Sequence, residues 1–233
     1  RVFEEEGSYL VRFTAVAADG SVTEWPIQVV VANPGTAIYV DDDGGHDWSD
    51  SFLADAAAAG IDCVSIDARL PFSLPANLGP RMLIWDTGLS WNDTLLPDQE
   101  DYLAACLDSG GRLLLLSADY FTDRAQVTPF ARDYLHVADA EVDVSGWPPL
   151  RRWEGVSGDP ITDGMSFEVI VGRGLEDALV PASGAQPILV NRDGSEPVYP
   201  AIRYADDTYR VVFSTMPWSE LPMEGDDPNN KEY

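Results

Sequence analysis

Residues 95–120 read L-L-P-D-Q-E-D-Y-L-A-A-C-L-D-S-G-G-R-L-L-L-L-S-A-D-Y. The first half predicts a helix over Pro97–Asp108. Proline suits the first helical position, Asp98, Glu100 and Asp101 put negative charge where the helix dipole favours it, and Gly110-Gly111 end the segment. The second half, Arg112–Leu116, carries four consecutive leucines, apolar on both faces as a central parallel strand is. A helix leading straight into such a strand is half of a crossover unit, so strands lie between helical layers.

The same rhythm runs upstream. Residues 36–40 (T-A-I-Y-V) read as a buried strand, 49–59 as a helix ended by Gly60, 61–66 as a second strand and 82–85 as a third. Strands alternating with helices predict an α/β fold with right-handed crossovers and a mostly parallel sheet, in the flavodoxin-like order 2-1-3-4-5. From Val137 the helical rhythm fades. Residues 167–171, 187–191, 198–204 and 209–214 read as strands joined by Gly, Pro and Asp turns, extending the sheet in antiparallel fashion.

Residues 1–33 alternate differently. Tyr9, Val11, Phe13 and Ala15 share one face and Leu10, Arg12, Thr14 and Val16 the other; Asp19-Gly20 supplies a turn, and 23–31 form a second run. That is a β-hairpin, marginal alone in water. The pattern G-S-Y-L-V-R-F-T-A…V-T-E-W-P-I-Q-V-V-V resembles the last two strands of an Ig-like domain of the polycystic-kidney-disease (PKD) type. Asn33-Pro34-Gly35 breaks the pattern, so the expected division is 1–33 for the end of an Ig-like β-sandwich, 34–225 for the α/β domain and 226–233 for a polar tail without a closing helix. A start at Arg1 directly on a strand reads as an internal piece of a longer polypeptide.

The chain has 233 residues and a formal charge of −26, with 27 Asp among 40 acidic residues against thirteen Arg and one Lys. Such a surplus of acid excludes nucleic acid and anionic membrane surfaces as partners, because no excess of cations exists to release phosphate counterions. No run of 18 apolar residues exists to span a bilayer. An Asp surplus leaves two readings, oxygen ligands for hard cations or a strongly hydrated surface.

The motifs A-I-Y-V-D-D-D-G-G (37–45), L-I-W-D-T-G (83–88), the stretch 95–120, D-Y-L-H-V (133–137), G-V-S-G-D-P-I-T-D-G-M-S-F-E (155–168) and Y-R-V-V-F-S-T-M-P-W (209–218), in this order, resemble the class I glutamine-amidotransferase-like modules of large secreted bacterial proteins. The resemblance implies a non-catalytic structural or interaction module, extracellular or at the cell surface. Its partners would be neighbouring domains of the same polypeptide, or protein or carbohydrate. The alternative is an accessory domain of a secreted hydrolase, a peptidase, that binds Ca²⁺ or carbohydrate.

A working amidotransferase has a cysteine on a tight strand-to-helix turn. Here that turn is Leu116-Ser117-Ala118-Asp119, which excludes thiol chemistry. Ser117 as nucleophile would need His136 as base and Asp119 or Asp133 as orienter; the plainer reading makes Ser117 a strand-end hydrogen bonder and His136 a neighbour of Tyr134. Cys63 on a strand and Cys106 on a helix read as free thiols. The sharpest local feature is the acidic run at 41–50. Asp41, Asp42, Asp43 and Asp47 follow the first strand and Asp86 ends its neighbour, on the edge where open α/β sheets bind ligands. Crowded carboxylates there suit a divalent cation such as Ca²⁺; otherwise Asp43 or Asp47 caps the following helix and the other acids are solvated. The spacing is not an EF-hand. A receiver-type phosphoacceptor lacks its lysine, since Lys231 lies in the tail, and Gly44-Gly45 does not cradle a nucleotide phosphate. Trp85, Trp91, Trp147, Trp153 and Trp218 are candidates for a carbohydrate- or partner-binding face. Asn92-Asp93-Thr94 fits a glycosylation sequon.

Overall fold

The computed structural model describes residues 5–45, 48–72, 74, 81–90, 92–142, 152–168, 177–192 and 196–218. Strands β1 (Gly7–Val16) and β2 (Val22–Val31) form the expected hairpin, in register from Gly7 opposite Val31 to Val16 opposite Val22. Among the described residues it is a two-stranded sheet by itself. Its base is fixed by Gln28, whose N–H donates to the Pro71 carbonyl (2.8 Å) and whose Oε1 accepts from the Asp67 N–H (3.0 Å). Its far end leaves Phe13 and Trp25, directly opposed, exposed to solvent.

The main body is a nine-stranded mixed sheet. Its parallel half comprises, from the edge inward, β4 (Cys63–Asp67), β3 (Ala37–Asp41), β5 (Met82–Asp86), β6 (Arg112–Leu116) and β13 (Arg210–Ser214). The antiparallel half continues with β12 (Val198–Ala205), β11 (Gln186–Asn191), β8 (Arg152–Gly155) and β9 (Ser166–Glu168). The α/β architecture and the antiparallel extension stand, and the mostly parallel, flavodoxin-like character is corrected, because half of the sheet's pairings are antiparallel. The reason is connection length. The turn at 206–209, where Asp206 Oδ1 accepts from the Thr208 and Tyr209 N–H groups, is too short for a crossover and so joins antiparallel neighbours. A second small sheet pairs β7 (Val137–Glu141) with β10 (Ala178–Pro181).

Helix α1 (Ser49–Ala58) covers one face of the parallel half, and α2 (Pro97–Asp108), α3 (Tyr120–Arg124) and α4 (Pro129–Asp133) are the remaining helices among the described residues. Because side chains alternate along a strand, Ile38, Val40, Leu83, Trp85, Leu113 and Leu115 enter one core, while Ala37, Tyr39, Ile84 and Leu116 meet Phe52 and Ala56 of α1 in the other. Cys106 sits in the first core and Cys63 packs against the second, so the sheet separates the two free thiols. α2 begins as read: Pro97 stands at the first helical position, and the Gln99 Oε1 accepts from the Leu96 N–H at 2.6 Å. No helix among the described residues is long and apolar enough to cross a membrane.

Gly155 ends β8 where the chain folds back tightly on itself. A Cβ there would run into the Thr162 carbonyl and lie 3.1 Å from the Thr162 Cβ. Gly155→Ala is therefore expected to destabilise the fold by about 1–3 kcal/mol, the cost of overpacking a filled interior. Urea denaturation should show a lower midpoint with an unchanged slope.

Candidate functional site

The parallel strands end alike. In register, Asp41 of β3 lies beside Asp67 of β4 on one side and Asp86 of β5 on the other. Three adjacent strands thus each finish on an aspartate at one level of the carboxyl edge. β3 and β5 are also where the strand order reverses direction, the crevice that α/β sheets use for ligands. Asp42 and Asp43 extend the row into the following loop.

Each carboxylate is held differently. Asp86, 2 % exposed, accepts from the Tyr39 Oη (3.0 Å) and the Gly88 N–H (2.8 Å). Asp42 accepts from the Trp85 Nε1 (3.0 Å) and the Gln99 Nε2 (3.2 Å), on the α2 side of the sheet. Asp67 takes the Arg69 guanidinium on both oxygens, at 2.8 Å each. Asp43 is buried, and its Oδ1 accepts from the Gly45 N–H at 2.9 Å. It tucks inward because residue 88 is glycine: at its φ of +54°, a Cβ would stand 2.7 Å from the Asp43 Cβ.

Asp41 and Asp43 lie together, with the Asp43 N–H reaching the Asp41 Oδ1 at 3.5 Å. Asp43 Oδ2 is buried without a hydrogen-bond partner. Burial, and then the Asp43 charge, push Asp41 well above the usual carboxylate range. Burial also raises Asp86, to about 6, against the opposing bonds from Gly88 and Tyr39, and raises Asp42 to about 6 against those from Trp85 and Gln99.

The structure brings Asp41, Asp42, Asp43 and Asp86 to one edge. Asp47 lies outside the described residues, as do Trp91 and Trp147. Among the described residues, no group of three or more His, Cys, Asp or Glu is arranged to hold a metal ion. The helix-cap role for Asp43 is corrected: Trp48 occupies the N-cap of α1 without a side-chain cap bond. Asp67, Arg69, Tyr39 and Gln99 were not foreseen as site residues. The signal for Asp67 was present, since each of the first three buried strands closes on an apolar-Asp pair, at 40–41, 66–67 and 85–86.

The serine triad does not form. Ser117 is fully buried at the carboxyl edge, its Oγ accepting from the Thr87 Oγ1 at 2.7 Å. His136 lies at the opposite edge, with its Nε2 2.8 Å from the Oη of Tyr209, one residue before β13 begins, and its ring stacked on Tyr204. Trp85 and Trp153 are core residues, and Trp218 is half-buried against Phe52, so none of the three offers an open stacking face.

No family model and no curated protein matches the chain. Among solved structures, the chain is similar to the exo-β-1,4-mannosidase Op5Man5 from Opitutaceae bacterium strain TAV5, with 14% identity over 78% of this chain and 31% of that one, at a TM-score of 0.49. It is also similar to Agd3, described as a novel carbohydrate deacetylase, with 15% identity over 77% of this chain and 29% of that one, at a TM-score of 0.40. The chain thus spans under a third of either protein. These findings correct the glutamine-amidotransferase-like resemblance and the non-catalytic structural role, alone or as an accessory domain, that went with it. Both similar structures are described as enzymes acting on carbohydrate. Nothing in the comparisons supports the associated Ig-like, PKD-type or secreted character.

The raised carboxyls set a pH dependence of stability. An acid whose folded pKa exceeds its unfolded value near 3.9 binds more protons when folded, so its contribution is complete below about pH 4 and is lost as pH rises through the folded value. Stability is expected to fall from about pH 4 through about 6, with Asp41 extending the decline upward. Asp41→Asn should flatten that decline and raise the melting temperature at pH 8; thermal melts across pH 4–8 check both.

Proposed function

We propose that this chain works in carbohydrate processing, with the Asp41–Asp43 pair as its acid–base site. The observation that carries the reading is their placement: two buried carboxyls joined through the Asp43 N–H and the Asp41 Oδ1, one with an oxygen lacking any donor, at the crevice between β3 and β5. Burial shifts Asp41 toward its neutral form, and acid–base chemistry near neutral pH needs a carboxyl displaced in this direction.

The substrate class follows from charge. A chain at −26 with carboxylates lining the edge repels anions, which favours a neutral, hydroxyl-bearing substrate. Carbohydrate is also what the two similar structures are described as acting on, but the proposal rests on the carboxylates rather than on that likeness. In hydrolysis of a glycosidic bond or a sugar acetyl group, a protonated Asp41 donates to the departing oxygen or nitrogen. The attacking water returns a proton to the Asp41 carboxylate, which ends as it began. The Arg69 guanidinium, paired with Asp67, is drawn toward the charges of Asp41 and Asp43 as well.

The test measures reducing-end release from mannan, xylan and β-glucan, and acetate release from acetylated xylan and chitin oligomers. Product is expected from at least one of these, with Asp43→Asn and Asp41→Asn each lowering the rate by about 10²-fold or more, within the range for removing a positioned acid or base. Circular dichroism on the variants confirms that the fold is kept. No product from any substrate, or undiminished rates in both variants, would overturn the reading.

A further inference from the structure

A second concavity lies apart from the carboxylates. A cavity of about 460 Å³ opens between the turn that leaves α3 and the end of β7, within the ~300–1,000 Å³ range of small-molecule sites. Phe121 and Val127 line it from the α3 side, and Ala140 and Val142 from the β7 side. Phe121 is 2 % exposed and locked by Tyr120 and Phe213, with ring centres 5.0 and 5.9 Å away, so the floor is rigid. Ala125 turns the chain off α3 at φ +55°, a left-handed conformation that disfavours any residue with a Cβ. That strained turn brings Gln126 and Val127 onto the cavity wall.

The polar groups are few. Thr122 and Gln126 offer a hydroxyl and an amide to the cavity. Asp139 stands on the β7 side, with one oxygen accepting from the Ala140 N–H at 2.9 Å. An apolar floor beside a hydroxyl, an amide and one carboxylate, with no cation, selects a neutral ligand that has a C–H face and hydroxyl edges. A sugar ring has that chemistry.

The wall of the cavity is tied to the acidic edge. The Asp123 Oδ2 of α3 accepts from the Thr94 N–H (3.2 Å) and Oγ1 (3.0 Å). Two residues on, the Leu96 N–H donates to Gln99, which in turn donates to Asp42. The geometry points to a sugar-holding subsite in this cavity, a reading that rests on the carbohydrate assignment and extends it. Binding a remote ring there supplies affinity that a processed bond elsewhere on the edge can use.

The test titrates mannotriose and chitotriose into the full chain by calorimetry, with saturation-transfer NMR to locate the bound rings. At least one trisaccharide is expected to bind, and Thr122→Trp, which fills the cavity from an exposed helical position, should weaken it at least tenfold. Gln126→Ala should weaken it about threefold with an unchanged melting temperature, which guards against a misfolded tryptophan variant. Asp43→Asn should leave this binding intact. Failure of both trisaccharides to bind, or equal binding by the wild type and both cavity variants, overturns the subsite. Binding that responds to the cavity variants without any turnover keeps the subsite and removes the acid–base reading, so the two fail separately.

Discussion

The register of β3 against β4 and β5 is the constraint on which the molecule turns. Parallel pairing sets Asp41, Asp67 and Asp86 at one level, and the sheet that aligns them also buries Asp41 and Asp86. Ionised carboxylates side by side in a poorly solvated place repel, and each needs its own remedy. Asp67 has a bidentate guanidinium, Asp86 a tyrosine hydroxyl and a backbone N–H, Asp42 an indole and an amide. Asp41 and Asp43 have only backbone N–H groups, from Asp43 and Gly45, and the Asp43 Oδ2 is left without a partner, which is why the proposed chemistry is assigned there.

The two edges of the parallel half do different work. At the amino edge, His136, Tyr204, Tyr209 and Tyr134 form a stacked aromatic group whose hydroxyls are bonded to Asp206, Asp108 and the His136 ring. His136 sits at φ +58°, and the stack with the Ala182 N–H on its carbonyl holds it there. This edge locks the β7–β10 sheet onto the main one. Its tyrosines are raised above their ordinary pKa, chiefly by burial, so they are poorer proton donors than free ones. The carboxyl edge holds carboxyls that burial shifts toward neutrality instead.

Much of the fold could be read from residues alone. The hairpin, α2, the leucine strand and the turn at 206–209 follow from local patterns of period and punctuation, and each appears in the structure. α3, α4, β7 and β10 did not, because five-residue helices and four- or five-residue strands carry too little periodicity to register, and their identity depends on what they pack against. The acidic loop was legible as a concentration of charge, but its division of labour was not. Asp42 and Asp43 are neighbours with opposite fates, since successive side chains leave the backbone in different directions.

The sequence by itself determined that helices alternate with buried strands, that a strongly acidic chain shuns polyanions, and that carboxylates collect after the first strand. It could not decide which carboxyl would lack a donor, that Asp67 joins the row while His136 is a sheet's length away from Ser117, or that a cavity opens beside α3. Those depend on strand order and register, which bring together residues tens of positions apart. A hydrogen bond made or withheld at a buried carboxylate is a matter of ångströms that only the packed sheet defines.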